Sequence, residues 1–333
     1  MNLKFIFAVS VACILLITIL TNLCFALTWV IGKIAHSRIY YSAFVKANLA
    51  LIILFLLVFL NGIFIGRWRI KTTNHTLCYS ELPKSFDGYR IVQISDLHLA
   101  YYEGHEKQLQ RLVDRINAET PDIICFTGDL VNLTSKEIDP MLPYLQQLRA
   151  KDGIYSVLGN HDALPYGHGT KSPERNKERQ EIISMQQNEL HWHLLLDENC
   201  QIERNREHIT IAGVRYIKGE QEHLSPISAG DLNKALTGAE GFTILLAHNP
   251  ANWDESVKGK HPIALTLSGH THAGQMRFLG WTPSSFFFKQ TDGIYEHQGQ
   301  YLNVNIGAGG TVPLRICAPL DITVLTLRTR EPF

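Results

Sequence analysis

Side chains that bind metal ions stand directly after five short apolar runs of this chain. In chain order they are Asp96, His98, Asp129, Asn160, His161, Asp162, His248, His270 and His272. A mixture of hard oxygen donors and imidazoles suits Mn, Fe or Zn better than the all-oxygen shells that Ca and Mg prefer. The sequence therefore indicates a site for ions of this kind.

The donors are numerous enough for two divalent ions. We predict two shells of four that share one carboxylate: Asp96, His98, Asp129 and His272 in the first, and Asp129, Asn160, His248 and His270 in the second. A shared carboxylate fits ions about 3.5 to 4 Å apart, the spacing that holds both the attacking and the leaving oxygen of an in-line displacement. Such a pair of ions would serve hydrolysis at phosphorus.

The apolar runs predict the elements that position these donors. Short, nearly continuous apolar runs are typical of strands that are buried on both faces. The five predicted strands span residues 90–95, 122–127, 155–158, 242–247 and 263–267. An amphipathic pattern at residues 106–118 predicts a crossover helix between the first two strands. In open α/β sheets functional groups gather outside the carboxyl ends of strands, so donors distant in sequence are expected to converge.

Two further features shape the predicted site. Gly128, Gly159 and Gly269 stand immediately before predicted ligands, and because glycine lacks Cβ we expect the backbone to turn sharply there. The polar segment at residues 167–188 interrupts the strand series, and we interpret it as a surface loop and helix over the site. Its basic run, residues 171–179, is more typical of a solvated face than of a phosphate site.

The N-terminal part of the chain has a different composition. Residues 5–31 and 47–65 carry no charged side chain, and each run can cross a hydrocarbon core about 30 Å thick. We predict two transmembrane helices within a membrane anchor at residues 1–70, followed by a catalytic domain at residues 71–333. The first run also resembles a cleaved signal peptide, but its length argues against that, and the second run would still anchor the chain.

Basic residues near the helix ends bear on the orientation of the chain in the membrane. The connecting segment carries Lys33, Arg38 and Lys46, whereas the other side carries Lys4 and the basic residues at positions 67, 69 and 71. The excess of one charge favours a catalytic domain on the cytoplasmic face.

Overall charge gives no sign of a polyanionic partner. The 333 residues include 31 Lys and Arg against 31 Asp and Glu, so no net field draws the chain to nucleic acid, and no nucleic-acid partner is expected. The six cysteines form none of the close pairs that zinc or redox motifs use.

Five segments together resemble the ordered signature of the calcineurin-like metallophosphoesterase superfamily: IVQISDLHL, FTGDLVN, LGNHD, LAHNP and LSGHTHAGQ. The resemblance covers about residues 89–327 and matches the predicted ligands position by position. It implies an α/β fold of the four-layer αββα sandwich type, preceded here by two transmembrane helices, and a binuclear hydrolytic centre. It also implies that His161 protonates the leaving oxygen or stabilises charge on it.

The closing stretch, from SGHTHAGQMR to VPLRICAPLDITVLTL, resembles the bacterial membrane-associated branch of the superfamily. Some members of that branch act on the lipid A precursor UDP-2,3-diacylglucosamine. The resemblance therefore implies a phosphodiester or pyrophosphate hydrolase of a lipid-linked or envelope-related substrate, in contact with membrane lipids at a bacterial inner membrane.

One departure from the superfamily pattern bears on the substrate. Protein phosphatases of this superfamily carry an Asp-Arg pair after the second motif and Glu after Asn-His, whereas here GDLVNLT has no arginine and Asp162 follows His161. Arginine is a natural bidentate clamp for a phosphate monoester, so its absence favours diesters or pyrophosphates. A clamp from Arg315 or from residues 171–179 stays open. So do a phosphomonoesterase and a noncatalytic metal-binding scaffold, although a scaffold is expected to have lost ligands.

Overall fold

The computed structural model describes residues 3–36, 38–163, 166, 173–216 and 230–330. These residues form two compact units. The first contains the chain up to Arg67 and the segment Val312–Ile316, and the second contains Trp68–Thr311 and the chain from Cys317 onward. The predicted loop at residues 167–172 lies outside the described residues.

The first unit contains two long apolar helices, α1 at Leu3–Ile34 and α2 at Tyr41–Phe64. The helices meet through a hydrogen bond from Thr21 Oγ1 to Asn48 Oδ1 at 2.8 Å. Most of their large apolar side chains are exposed, the opposite of what the core helix of a soluble protein shows. Both helices are long and apolar enough to cross a membrane, in agreement with the sequence prediction.

The described part of the second unit contains two six-stranded sheets. The strands of the first sheet are β1 (Ile70–Tyr79), β2 (Arg90–Ile94), β3 (Ile123–Phe126), β4 (Ile154–Ser156), β5 (His193–Leu194) and β12 (Leu320–Thr329). Those of the second are β6 (Glu198–Arg204), β7 (Glu207–Gly213), β8 (Phe242–Leu246), β9 (Leu265–Ser268), β10 (Gly293–His297) and β11 (Gln300–Val304). Their orders are β1-β12-β2-β3-β4-β5 and β10-β11-β9-β8-β7-β6.

The strands that precede the predicted ligands run parallel within each sheet. In the first sheet β2, β3 and β4 pair in parallel, and in the second β8 pairs in parallel with β9. Their carboxyl ends therefore open on one edge of each sheet. All five strands predicted from the sequence are present, with boundaries that differ by at most two residues.

The helices of the second unit are mostly short. They are α3 (Glu106–Ala118), α4 (Leu142–Leu145), α5 (Asn160–Ala163), α6 (Pro173–Ser184) and α7 (Leu232–Ala235). Further helical turns lie at Lys84–Phe86, Leu99–Tyr102, Ser135–Glu137, Asp139–Met141, Met185–Glu189, Trp253–Val257, His272–Gln275 and Pro283–Phe286. The predicted crossover helix at 106–118 is α3.

Alternate residues of one strand face different apolar cores, one between the two sheets and one beneath the helices. The domain is therefore built in layers. In β3, Ile123 and Cys125 join the apolar core between the two sheets, whereas Ile124 and Phe126 pack towards α3. On the second sheet, Leu245 faces the helical side instead, with Trp253. The order helix, sheet, sheet, helix confirms the predicted αββα class, and strands buried on both faces explain the continuous apolar runs.

Candidate metal centre

The seven predicted metal ligands and His161 lie together where the carboxyl ends of the two sheets meet. Those that follow β2, β3 and β4 are Asp96, His98, Asp129, Asn160 and His161, and those that follow β8 and β9 are His248, His270 and His272. The first sheet thus supplies the carboxylates and the amide, and the second supplies imidazoles alone.

One cluster of donor atoms surrounds His98. The Nε2 atoms of His98 and His272 are 3.1 Å apart, and His272 Nε2 is 3.3 Å from Asp96 Oδ1. Asp129 Oδ2 lies 3.6 Å from His98 Nε2. These are the four residues of the first predicted shell, and the three that form the tightest group are buried.

A second cluster surrounds His248. Its Nε2 atom lies 3.3 Å from Asp129 Oδ2 and 3.1 Å from Asn160 Oδ1. His270 Nδ1 is 2.9 Å from the same amide oxygen and 3.2 Å from His248 Nε2. The second predicted shell is thus also assembled, and Asp129 Oδ2 faces both clusters.

The donor spacing fits two divalent ions. A tetrahedral ion with metal–nitrogen bonds of 2.0 to 2.1 Å holds its ligand atoms about 3.3 Å apart. The nitrogen–nitrogen distances of 3.1 Å and 3.2 Å in the two clusters lie close to that value. Two divalent ions are therefore well suited to the residues present, and which residues bind them stays a prediction.

Backbone carbonyls orient two of the imidazoles. His248 Nδ1 lies 2.6 Å from the carbonyl oxygen of Thr127, and His161 Nδ1 lies 2.7 Å from that of Asn132. A carbonyl only accepts hydrogen bonds, so each Nδ1 carries the hydrogen and donates it. Each ring is thereby oriented through Nδ1, as second-shell partners orient metal-binding histidines, and Nε2 is the atom left for an ion or a proton.

Burial keeps two imidazoles neutral. It lowers the pKa of His98 to about 3, and burial together with the charge of His248 lowers the pKa of His270 to about 3. A histidine binds a metal ion through a neutral ring, so both rings are in the form that metal binding requires.

The remaining charges favour a cation in the centre. Burial raises the pKa of Asp96 to about 6, and the nearby charge of Asp129 adds to the rise. Burial opposes ionisation of Asp129 too, but the neighbouring histidines, His248 first, hold its pKa well below its usual range. At His248 the same carboxylates outweigh burial and raise the pKa to about 9. Positive charge is thus stabilised where a divalent ion would replace a proton.

The backbone is strained at the predicted ligands themselves. Left-handed φ angles occur at Asp96 (52°), His98 (44°), Asp129 (60°), His270 (72°) and His272 (50°). Non-glycine residues rarely adopt this region, and clusters of such residues are typical of functional sites.

The three glycines act in two different ways. Gly128 has a φ of 98°, which agrees with the turn predicted there. Gly159 and Gly269 lack a left-handed φ and are required instead by close approach. A Cβ on Gly159 would meet the Asp129 side chain, and one on Gly269 would meet Asp96 across the junction of the two sheets.

Two acidic residues have positioning roles that the sequence analysis did not predict, although it named Asp162 among the strand-end side chains. Asp162 is completely buried, and its carboxylate accepts hydrogen bonds from the backbone of Leu130, Val131 and Gly159 at 2.8 to 3.1 Å. Burial raises its pKa to about 7. Glu137 accepts hydrogen bonds from four backbone nitrogens, those of Ala100, Asn132, Leu133 and Thr134. The capping-box spacing from Thr134 to Glu137 is the signal that could have revealed it.

A tyrosine ring borders the cluster of predicted metal ligands. The Tyr166 ring lies 4.6 Å from that of His161, and the Arg175 guanidinium lies 5.7 Å from the Tyr166 ring. Arg175 is buried and Arg179 is half-buried, so the predicted solvated face fits the exposed Lys177 but not every cation of this run. Arg315, the other cation considered for a phosphate clamp, is completely buried.

Comparison with known families and proteins agrees with this geometry. The model of the family described as calcineurin-like phosphoesterase matches residues 89–274. An uncharacterized metallophosphoesterase of Bacillus subtilis is 32% identical over 271 residues, which are 78% of this chain and 86% of that protein. A transmembrane protein with a metallophosphoesterase domain from Danio rerio is 30% identical over 308 residues, 89% of this chain and 66% of that protein.

Two solved structures are also similar. The NAD nucleotidase of Haemophilus influenzae has a TM-score of 0.42 at 14% identity, with 66% of this chain and 45% of that chain covered. A dimetal phosphatase from Danio rerio has a TM-score of 0.40 at 13% identity, with 68% of this chain and 90% of that chain covered.

Proposed function

Because this chain belongs to the calcineurin-like phosphoesterase family, we propose that it hydrolyses phosphodiester or pyrophosphate bonds of a lipid-linked substrate at a bacterial inner membrane. As a family member it is a metal-dependent phosphoester hydrolase, and its two apolar helices associate it with a membrane. The proposal adds the type of bond, the lipid and the membrane. UDP-2,3-diacylglucosamine, a pyrophosphate that carries acyl chains, is the candidate substrate.

The observation that carries the proposal is the paired cluster around Asp129. Its Oδ2 atom faces His98 Nε2 on one side and His248 Nε2 on the other, at 3.6 Å and 3.3 Å. We assign the two shells to two divalent ions among Mn, Fe and Zn. When bound, the ions supply a water of lowered pKa and positive charge beside the phosphoryl oxygens.

His161 is the residue to which we assign proton transfer. Its Nδ1–H donates to the carbonyl of Asn132, so Nε2 is the nitrogen that can carry a proton to the leaving oxygen. Its backbone nitrogen donates to Asp129 Oδ1 at 2.8 Å, which couples its position to the shared carboxylate. This assignment separates a residue that moves a proton from the residues that hold ions.

The choice of a diester or pyrophosphate follows from the cations near the site. The stretch after β3, GDLVNLT, carries no arginine, and the carbonyl of its Asn132 orients His161. A monoester dianion benefits most from a bidentate guanidinium clamp, whereas a diester carries one charge fewer and needs less. A phosphomonoesterase is the second candidate, because the buried Arg175 lies beside Tyr166 at the edge of the site.

A substrate panel tests the proposal. The full chain, purified in detergent with Mn or Zn, is offered bis(p-nitrophenyl) phosphate, p-nitrophenyl phosphate and UDP-2,3-diacylglucosamine. We expect the diester and the pyrophosphate to be cleaved faster than the monoester, and the Asp96→Asn variant to cleave none of them. Faster turnover of the monoester would support the second candidate. If the chain binds metal but cleaves nothing, the scaffold alternative holds.

The membrane face has its own test. We place the catalytic unit on the cytoplasmic face, because basic residues near the helix ends are in excess on its side. Cys78 lies in β1 of the second unit and is exposed. Maleimide labelling of wild type should therefore exceed that of a Cys78→Ser variant only after the cells are permeabilised. If wild type is labelled more than the variant in intact spheroplasts, the catalytic unit lies on the other face of the membrane.

A further inference from the structure

Exposed apolar side chains are concentrated in one segment of the second unit. The segment, residues 276–288, is named the aromatic loop here. Seven large apolar side chains of the described second unit are exposed, and five of them lie in this loop: Phe278 at 46%, Leu279 at 109%, Trp281 at 45%, Phe286 at 75% and Phe287 at 75%. A contiguous exposed patch of this kind marks an interaction site.

The aromatic loop is an ordered hairpin. Phe278 and Trp281 exchange two backbone hydrogen bonds at 2.8 Å and 2.9 Å, and the Trp281 ring packs edge-on against Phe286 at 5.4 Å. The turn Pro283–Phe286 begins after Thr282, whose hydroxyl pairs with that of Ser284 at 2.7 Å. The apolar side chains are thus held outward by a formed backbone.

The base of the aromatic loop adjoins the metal centre. Phe288 packs edge-on against His270, with ring centroids 5.3 Å apart. At the other end, Gly274 approaches Pro283 so closely that a Cβ would lie 2.9 Å from the proline ring. Whatever the exposed tip contacts is therefore brought close to the predicted ligands.

The observations favour a lipid bilayer as the partner of this loop. Tryptophan and phenylalanine are residues that enter the boundary between headgroups and acyl chains. Arg277 and Lys71 line one polar cavity of about 240 Å³ at the base of the loop, and Lys71 follows Arg67, the end of the anchoring unit, by four residues. Arg277 is paired with Asp292 in that cavity, whereas Lys71 and the exposed Lys289 at the other base are cations suited to anionic headgroups near the apolar tip.

We propose that the aromatic loop inserts into the bilayer surface and holds the metal centre at the level of a lipid-linked phosphate. The insertion is argued from the loop itself, whereas the position of the metal centre at a lipid-linked phosphate rests on the proposed function. The loop then selects substrates by where they reside: a phosphate ester at the membrane surface reaches the site, whereas the loop adds nothing to the cleavage of a soluble ester.

Lipid quenching tests the insertion without reference to activity. The full chain is placed in nanodiscs with phosphatidylcholine brominated on its acyl chains, and tryptophan emission is compared with that of a Trp281→Phe variant. The difference isolates Trp281. We expect bromines close to the headgroups to quench it more strongly than deep ones, because interfacial segments lie about 5 to 10 Å deep. Emission from Trp281 that is independent of bromine position and content would overturn the proposal.

Activity in the same nanodiscs tests the consequence. For a Phe286→Ser, Phe287→Ser double variant we expect turnover of UDP-2,3-diacylglucosamine to fall at least about tenfold, since two large apolar side chains leave the interface. Turnover of bis(p-nitrophenyl) phosphate should not change. The matched control, Phe286→Leu with Phe287→Leu, keeps apolar side chains and should retain both activities. An equal loss on both substrates would assign the loop to the fold instead.

The two proposals fail separately. If the wild-type chain cleaves no lipid-linked substrate, the proposed function fails, while the quenching of Trp281 still decides the insertion. If Trp281 is not quenched and the serine variant instead changes the oligomeric state of the chain, the loop is a contact between copies and the insertion is refuted.

Discussion

Aspartates lie at both ends of the central strands, in opposite surroundings. At the amino ends, Asp122 pairs with Lys151 at 2.9 Å and with Arg204 at 3.0 Å, and it accepts the backbone N–H of Arg90 at 2.7 Å. Asp152 pairs with the same arginine at 2.8 Å. Burial opposes ionisation of Asp122, but these partners prevail and lower its pKa.

At the carboxyl ends the carboxylates face histidines and one another. The described ion pairs of Asp96 and Asp129 involve only His98, His248 and His272. Burial raises the pKa of Asp96 to about 6, and the charge of Asp129 contributes. Asp96 at a carboxyl end therefore has a raised pKa, whereas Asp122 at an amino end has a lowered one. The pKa of Asp129 is also lowered, but by neighbouring histidines, His248 first, rather than by lysine or arginine.

The difference separates stability from function. Carboxylates at the amino ends are neutralised by the chain's own cations, so they stabilise the folded state. The negative charge of the carboxylates at the carboxyl ends is only partly balanced by histidines. A bound ion would supply the remaining positive charge. Strain and unfavourable charge of this kind are tolerated at functional sites and offset elsewhere in the fold.

The largest effect is expected at the carboxylate that faces both clusters. In Asp129→Ala both shells lose a ligand, so we expect about two metal equivalents to be lost and activity to fall by about 10³-fold or more. Metal analysis and diester turnover measure the two quantities. The matched variant Asp122→Asn, at the amino end, should keep both. Stoichiometric metal with near-normal turnover in Asp129→Ala would remove the shared role.

The next effect separates the proton donor from the ligands. His161→Ala should keep both ions and lose about 10²- to 10⁴-fold in turnover, the range that a general acid contributes. If metal content falls instead, His161 is a ligand, which its place in a group with His98 and Asp129 also allows.

The sequence predicts which side chains come together in this centre, because each predicted ligand follows a strand that its apolar pattern identifies. Side chains of residues 122–127 and 242–247 alternate between two apolar cores. Both faces of each strand are therefore apolar, and the continuous apolar run identifies the strand in the sequence. The joining of two sheets was implied only by the family resemblance. Periodicity reports burial but not which strands become neighbours.

Other features were not readable from the sequence because their causes are not local. The close approach of Gly269 to Asp96 joins two sheets through residues 173 positions apart, and the positioning role of Asp162 depends on a loop that follows another strand. The aromatic loop was not singled out, because apolar residues in a sequence predict burial by default. Only coordinates reveal that Phe286 and Phe287 are exposed.

A smaller effect is expected on the stability of the metal-free protein, and it tests the contrast between the carboxyl and amino ends of the strands. Asp96 has a pKa near 6 when folded and about 3.9 when unfolded, so above pH 6 its ionisation disfavours the folded state. Asp96→Asn removes that charge. We expect the chelated variant to be more stable than chelated wild type at pH 7.5, by roughly 1 to 3 kcal/mol. Thermal unfolding in detergent with EDTA measures it.

The same variant at lower pH provides the control for that prediction. The contribution of Asp96 to wild-type stability falls as pH rises from about 4 to 6, the window between its unfolded and folded pKa values. The advantage of Asp96→Asn should therefore shrink as the pH is lowered through this window. A variant that is less stable than wild type at pH 7.5 would mean that Asp96 supports the metal-free fold, and the contrast between the two ends would not hold.

The smallest effect tests the amino end, where the sign is reversed. Asp122→Asn keeps the shape of the side chain but removes the charge that Lys151 and Arg204 face, and we expect a loss of about 1 to 2 kcal/mol at pH 7. The folded pKa of Asp122 is lowered, so its contribution is complete above the unfolded value of about 3.9 and is lost as pH falls through the folded value. Wild type and variant should therefore converge in stability at an acid pH below the folded pKa of Asp122, as followed by unfolding at several pH values. A difference that persists at that pH would trace the loss to packing rather than to the ion pairs, and the amino end would then stabilise the fold by shape instead of charge.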